Sequence, residues 1–148
     1  MKYLLAFSTV VFSLISMAQA ETDATVRRCA VMPAFGECVH SETADIYRCS
    51  SVAIMEHLAG ALNYPSDALE AKVSGTVYVM FIIEKDGSIT GVDVMRSIPV
   101  EDSLADVVAS LELEAVNAVK SLPDFRPGTD GVNPVRVEYV VPVKFELK

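Results

Sequence analysis

The C-terminal end of the chain alternates between apolar and polar side chains more regularly than any other segment. The apolar positions are Val135, Val137, Tyr139, Val141, Val143, Phe145 and Leu147. The intervening positions, which are the even-numbered residues from 136 to 148, are charged except at Val140 and Pro142. Because side chains of a strand point alternately to its two faces, this pattern predicts one long strand with a buried face and a largely wet face.

Pro142 lies within this predicted strand and has no main-chain N–H, so the strand should form the edge of its sheet. If Pro142 faces outward, alternation makes Glu138 and Val140 face outward as well. We infer that residues 134–141 are free to pair with an extended peptide. The candidate binding residues are Val135, Arg136, Val137, Glu138, Tyr139 and Val140. In the alternative interpretation, Pro142 only prevents aggregation and nothing docks.

Two segments show the periodicity of amphipathic helices. The first, residues 52–62, follows a candidate N-cap at Ser50 or Ser51. Its expected apolar face consists of Ile54, Met55, Leu58, Ala61 and Leu62. The second helix is predicted over residues 102–121, with a possible break around Leu113.

A hairpin is predicted between the two helices. Residues 75–84 form a strand that is apolar on both faces, and Lys85-Asp86-Gly87 forms the turn. The returning strand, residues 88–96, should place Thr90, Val92 and Val94 on one face. The element order therefore predicts an α+β fold, in which two helices cover one face of a three-stranded antiparallel sheet.

The first twenty residues have the features of a signal peptide: Lys2, an uncharged apolar run and a cleavage motif at Ala18-Gln19-Ala20. We expect export, with residues 21–49 as an N-terminal segment and residues 50–148 as the folded domain; an uncleaved membrane anchor is the alternative. Without residues 1–20 the net charge is −9, from 11 basic and 20 acidic residues. Such an acidic protein is not expected to bind nucleic acid.

The exported part contains three cysteines, Cys29, Cys38 and Cys49. An oxidising compartment favours a disulfide, but the odd number leaves one thiol over, and the residues alone do not settle which. Cys38 and Cys49 are the preferred pair because they would close a short polar loop. Together with His40 the cysteines lack the spacing of a zinc site, so no metal is predicted.

The chain lacks the sequence motifs of common enzyme active sites. It contains no nucleophile elbow, zinc-protease motif, phosphate-binding loop or calcium-binding loop. His57, on the first predicted helix, is interpreted as a structural residue among apolar neighbours. We therefore expect neither enzymatic activity nor a cofactor.

Several motifs, in the same order, resemble the C-terminal domain of TonB-type energy transducers. They are Tyr64-Pro65-x-x-Ala68, Gly75-Thr76-Val77, Lys85-Asp86-Gly87-Ser88-Ile89, Leu122-Pro123-x-Phe125-x-Pro127-Gly128 and Pro142-Val143-x-Phe145. The segment from Pro33 to Cys38 and the sequence Arg48-Cys49-Ser50 also resemble a cysteine-bearing region that precedes this domain in some members. That resemblance supports the pairing of Cys38 with Cys49.

The resemblance implies a periplasmic domain that binds the N-terminal box peptide of TonB-dependent outer-membrane transporters on its last strand. The transducers also carry a long Pro-rich stalk, whereas here about thirty residues without a Pro-rich run separate the predicted signal peptide from the first predicted helix. We therefore expect a stand-alone adaptor or competitor. The alternative is a self-associating structural domain that forms a homodimer through Cys29 or through the second sheet face. That face would contain Tyr78, Met80, Ile82, Ile89 and Met95.

Overall fold

The computed structural model describes residues 24–41 and 44–148, so the predicted signal peptide lies outside the described residues. The strands are β1 (Thr25–Val26), β2 (Gly75–Ile83), β3 (Ile89–Arg96), β4 (Gly128–Thr129) and β5 (Pro134–Phe145). The α-helices are α1 (Ile46–Ala61), α2 (Ser66–Glu70) and α3 (Ala105–Lys120). Short 3₁₀ turns span Gly36–His40 and Asp102–Leu104.

The sheet is built on three antiparallel strands in the order β5-β2-β3. The central strand β2 pairs with β5 over its whole length, from Gly75 opposite Phe145 to Ile83 opposite Val137. The predicted α+β class and the central position of β2 are confirmed. The sheet also contains β1 and β4, which were not predicted because two residues are too few to show an alternation.

The core lies between the sheet and the two long helices. On β2 the side chains of Val77, Val79, Phe81 and Ile83 are fully buried. The facing side chains of β5, from Val137 to Phe145, are also buried, as its alternation predicts. Helix α1 contributes Ile54 and Leu58 to this core, and α3 contributes Leu111, Ala115 and Val119. Each large apolar side chain buried in this way contributes about 1.5–3 kcal/mol to folding.

Helix α1 begins at Ile46 rather than near Val52, so the prediction of an N-cap at Ser50 or Ser51 is wrong. Both serines lie inside the helix and bond to other groups. The buried Ser50 hydroxyl accepts a hydrogen bond from the Phe35 N–H at 3.0 Å, and Ser51 donates to the Tyr47 carbonyl at 2.8 Å. Met55, predicted on the buried face, is 37% exposed.

A bulge in β3 overturns the predicted faces of that strand. Gly91 has a φ of +58°, and the register shifts there, between the pairs Met80–Asp93 and Ile82–Thr90. As a result Thr90 lies on the face opposite to that of Val94, which pairs with the buried Val79. Ile89 pairs with Ile83 and packs against the core, so its assignment to the second face is also wrong.

Helix α3 is continuous, and Leu113, where a break was considered possible, is 63% exposed on its outer side. A 3₁₀ turn supplies the first residues of the segment predicted as helix. In the described ranges, no helix combines the length and apolar character needed to cross a membrane.

The N-terminal segment is anchored to the domain from Val31 onward. Val31 bridges to Thr129, Ala34 bridges to Arg126, and Phe35 is buried against the core. Cys38 and Cys49 form a disulfide with a sequence separation of 11, which confirms the predicted pairing. In the chain-entropy model, a disulfide that closes a loop of this length stabilises the folded state by about 2.8 kcal/mol relative to the unfolded chain.

Candidate functional site

The candidate site is the outer edge of β5, on the side away from β2. Pro142 lies opposite Tyr78 and has no N–H to donate, so this pair is not hydrogen-bonded and the Pro142 carbonyl points outward. Because main-chain direction alternates along a strand, the N–H and C=O groups of Val140 and Glu138 also point outward. The predicted orientation of these residues follows from the observed register.

The first part of this edge is already covered. Strand β1 pairs with β5 in parallel, with Thr25 opposite Arg136 and Val26 opposite Val137. The main-chain groups of Val135 alternate with those of Arg136 and point to the β2 side, so β4, which pairs with Val135 and Pro134, does not cover the outer side. The prediction that residues 134–141 are all open is therefore wrong for residues 136–137, where β1 lies. Within the described part of the chain, no strand covers the outer side beyond the end of β1, where the Glu138 carbonyl and the N–H and C=O of Val140 point outward.

A cleft of about 220 Å³ opens beside this uncovered stretch. Its lining residues come from four parts of the chain: Arg27, Met32, Tyr47, Met95, Glu138, Tyr139 and Val140. The Tyr139 ring lies 5.7 Å from the Tyr47 ring, and its hydroxyl is 3.3 Å from that of Ser51. Burial raises the pKa of Tyr139, so its phenol stays protonated at physiological pH. The cleft therefore combines an aromatic wall with open main-chain groups.

The two charged groups at the cleft are Glu138 and Arg27. Arg27 Nε donates to the Glu138 carboxylate at 2.9 Å, and the Arg27 side chain is 77% exposed whereas that of Glu138 is 21% exposed. A half-buried carboxylate at a strand edge can bind a cationic side chain. Here that cation is supplied by the chain itself, from the residue that follows β1.

The sheet face opposite the helices is partly covered by an ion pair at one end and a cation–π contact at the other. Arg136 binds the Glu84 carboxylate through two nitrogens at 2.7 and 3.0 Å, and Arg96 lies over the Tyr78 ring at 5.2 Å. Between these ends Met80 and Ile82 are half-buried. Met95, at 59% exposure, is the most exposed of the side chains predicted to form a dimer interface here.

The predicted site residues therefore play different roles. Val137 and Tyr139 point into the core, and Arg136 is engaged by Glu84. Of the six, Glu138 and Val140 combine outward main-chain groups with a position in the cleft wall. Sequence reasoning missed Arg27, Met32 and Tyr47, which reach the cleft only through the folded path of the N-terminal segment.

The residues that carry the family motifs lie away from the cleft and hold the fold together. The Tyr64 hydroxyl donates to the Val73 carbonyl, and the Tyr64 ring packs edge-on against Phe145 at 5.6 Å. Pro65 precedes the first residue of α2. Gly87, in the hairpin turn, accepts a hydrogen bond from the Phe125 N–H at 2.8 Å. These contacts connect motifs that are distant in the sequence.

The Pro127-Gly128 motif lies where the N-terminal segment packs against the domain. A Cβ at Gly128 would lie 2.9 Å from Cys29 Sγ and 2.9 Å from a methyl group of Val137. Cys29 donates to the Val31 carbonyl at 3.0 Å, and burial raises the pKa of its thiol. Residues 24–41 and 44–148 contain no cluster of His, Cys, Asp and Glu suited to a metal ion.

A sequence model of the family described as Gram-negative bacterial TonB protein C-terminal matches residues 60–147. The chain belongs to this family. The matched region begins near the end of α1 and extends past the end of β5, so it includes the whole hairpin, α3 and the candidate edge. The predicted family is confirmed.

Two solution structures of the Helicobacter pylori TonB C-terminal domain are similar to the chain. One is 25% identical with a TM-score of 0.49, covering 66% of this chain and 79% of that one. The other is 26% identical with a TM-score of 0.47, covering 66% of this chain and 92% of that one. No curated protein sequence matches the chain.

Proposed function

We propose that this TonB C-terminal domain is a periplasmic binding module of TonB-linked transport. In this proposal it binds the N-terminal box peptide of an outer-membrane transporter as an added strand on β5. The observation that supports the proposal is the outward main chain at the Glu138 carbonyl and at Val140, which β1 does not reach and which lies beside a cleft. An extended peptide gains its affinity from such main-chain groups and its specificity from neighbouring pockets.

The position of β1 supports the same mode of binding. A short extended segment already pairs with the outer side of β5 at Arg136 and Val137, so that side of the strand accepts another strand. A bound peptide would pair with the same side of the strand, including Glu138 and Val140. It would also place side chains against Tyr47 and Met32, which line the cleft.

Peptide binding is measured directly by fluorescence anisotropy. The probe is a labelled synthetic peptide that carries the box of a TonB-dependent transporter from the same bacterium. We expect saturable binding in the micromolar range, as is common for short peptides that add a strand to a domain. The matched control is the same peptide with proline at alternate positions, which removes the N–H groups that pair with β5. Equal binding of both peptides, or no binding by a panel of such boxes, would contradict the proposal.

A further inference from the structure

Strand β1 occupies the part of the β5 edge that lies directly before the open stretch. Val26 lies opposite Val137, between Arg136 and Glu138, whose main-chain groups point outward. In a parallel pairing, the main chain of Val26 therefore bonds to both of these residues. A peptide that pairs with the whole edge needs the same main-chain groups. It and β1 exclude each other.

The contacts that hold β1 are few. The strand has two residues, and neither side chain is fully buried. The residue that follows, Arg27, is 77% exposed, and its ion pair with Glu138 is of the solvent-accessible kind that contributes little. Unlike the long strands of the sheet, β1 places no side chain in the buried core of the domain.

The chain after β1 is held much more firmly. Val31 and Ala34 form main-chain bridges to Thr129 and Arg126, with hydrogen bonds of 2.9 to 3.0 Å in both directions. Phe35 is buried and its N–H is bonded to Ser50. The disulfide of Cys38 lies further along. Residues 24–30 can therefore leave the edge while the rest of the segment stays in place.

We propose that β1 is an internal competitor that covers the start of the binding edge until an external strand displaces it. This inference rests on the proposed function, since it assumes that a peptide adds to β5. It assigns to the N-terminal segment a regulatory role in that binding. Only molecules in which β1 is unpaired can bind the peptide along the whole edge. The apparent affinity is therefore the intrinsic affinity multiplied by the fraction of such molecules.

Val26→Pro tests the inference, because proline removes the N–H that Val26 donates to β5. Loss of this pairing should raise the affinity for the labelled box peptide by about fivefold to twentyfold. The matched control is Val26→Ala, which keeps the N–H and should change the affinity by less than about twofold. Both variants should keep the thermal stability of the original protein within a few degrees, because the anchored residues begin at Val31.

A second measurement uses the unmodified protein. If the peptide displaces β1, the Val26 amide should exchange with solvent faster when the peptide is bound. Slower or unchanged exchange at Val26, or equal peptide affinity of Val26→Pro and the original protein, would overturn the internal competitor alone. No binding by any of the three proteins would overturn the proposed function, and this inference with it.

Discussion

Val140→Pro should reduce the affinity for a box peptide at least tenfold while leaving the domain folded. The Val140 N–H points away from β2 and is open to an added strand. Proline removes this donor, and its ring obstructs the approach of a neighbouring strand. Loss of one hydrogen bond costs about 0.5–1.5 kcal/mol of binding free energy. The proline ring also disturbs the hydrogen bonds of the neighbouring peptide residues, which weakens binding further.

Folding should be little affected by this substitution because β5 already contains a proline in the equivalent orientation. Pro142, two residues further on, faces the same way and is accommodated opposite Tyr78. Val140→Ala is the matched control, since it removes most of the side chain but keeps the N–H. Anisotropy titrations and thermal melts of both variants give the comparison. If Val140→Pro binds as tightly as Val140→Ala, the peptide does not pair with this edge.

Gly87→Ala should destabilise the fold by at least about 3 kcal/mol, or prevent folding. Gly87 has a φ of +88°, which an L side chain rarely adopts. A Cβ at this position would also lie 1.9 Å from the Phe125 carbonyl oxygen. Neither the added Cβ nor the Phe125 carbonyl oxygen can rotate away, because each is fixed to its main chain. The hairpin turn and the segment around Phe125 must therefore move apart.

The consequences of that separation extend into the core. The hydrogen bond from the Phe125 N–H to the Gly87 carbonyl, 2.8 Å long, would be lost. The Phe125 ring, which packs 4.9 Å from Phe35 and 6.1 Å from Phe81, would shift with its main chain. In a domain of this size we expect the melting temperature to fall by about 10 °C or more.

Gly60→Ala is the matched control for this prediction. Gly60 lies in α1, is exposed, and has open space where a Cβ would be placed. Alanine should raise the free energy of unfolding by about 0.5–1 kcal/mol, because glycine is the poorer helix former. Urea denaturation followed by circular dichroism measures both variants. Comparable stability of the two would contradict the close contact between Gly87 and Phe125.

The long elements were predictable from the sequence because their patterns repeat many times. The alternation in β5 and the apolar faces of β2 indicated the sheet and its central strand. Pro142 indicated the direction of the outward main chain at Glu138 and Val140. Each of these follows from side-chain period or from a missing N–H, and both are local properties of the chain.

The parts that sequence reasoning missed depend on contacts between distant residues. β1 pairs with residues more than a hundred positions away, and its two residues carry no periodic signal. Ser50 resembled an N-cap, but its hydroxyl is bound by Phe35, which folds back over α1. Gly91 shifts the register of β3, so the faces counted along the sequence change at that point.

The cleft was also beyond prediction. Its wall joins Arg27 and Met32 of the N-terminal segment, Tyr47 of α1, Met95 of β3 and three consecutive residues of β5, Glu138 to Val140. The sequence contains no spacing that relates these positions. They meet because the N-terminal segment runs beside β5 and is anchored there by its bridges to Thr129 and Arg126.

The most direct test of strand addition on β5 is amide hydrogen exchange at Val140, measured by NMR with and without the box peptide. In the free protein this N–H points outward and should exchange fast, whereas that of Val141, which points toward β2, should be protected throughout. We expect bound peptide to slow exchange at Val140 at least tenfold and to leave Val141 unchanged. Saturating peptide that leaves Val140 exchange as fast as in the free protein would contradict the account.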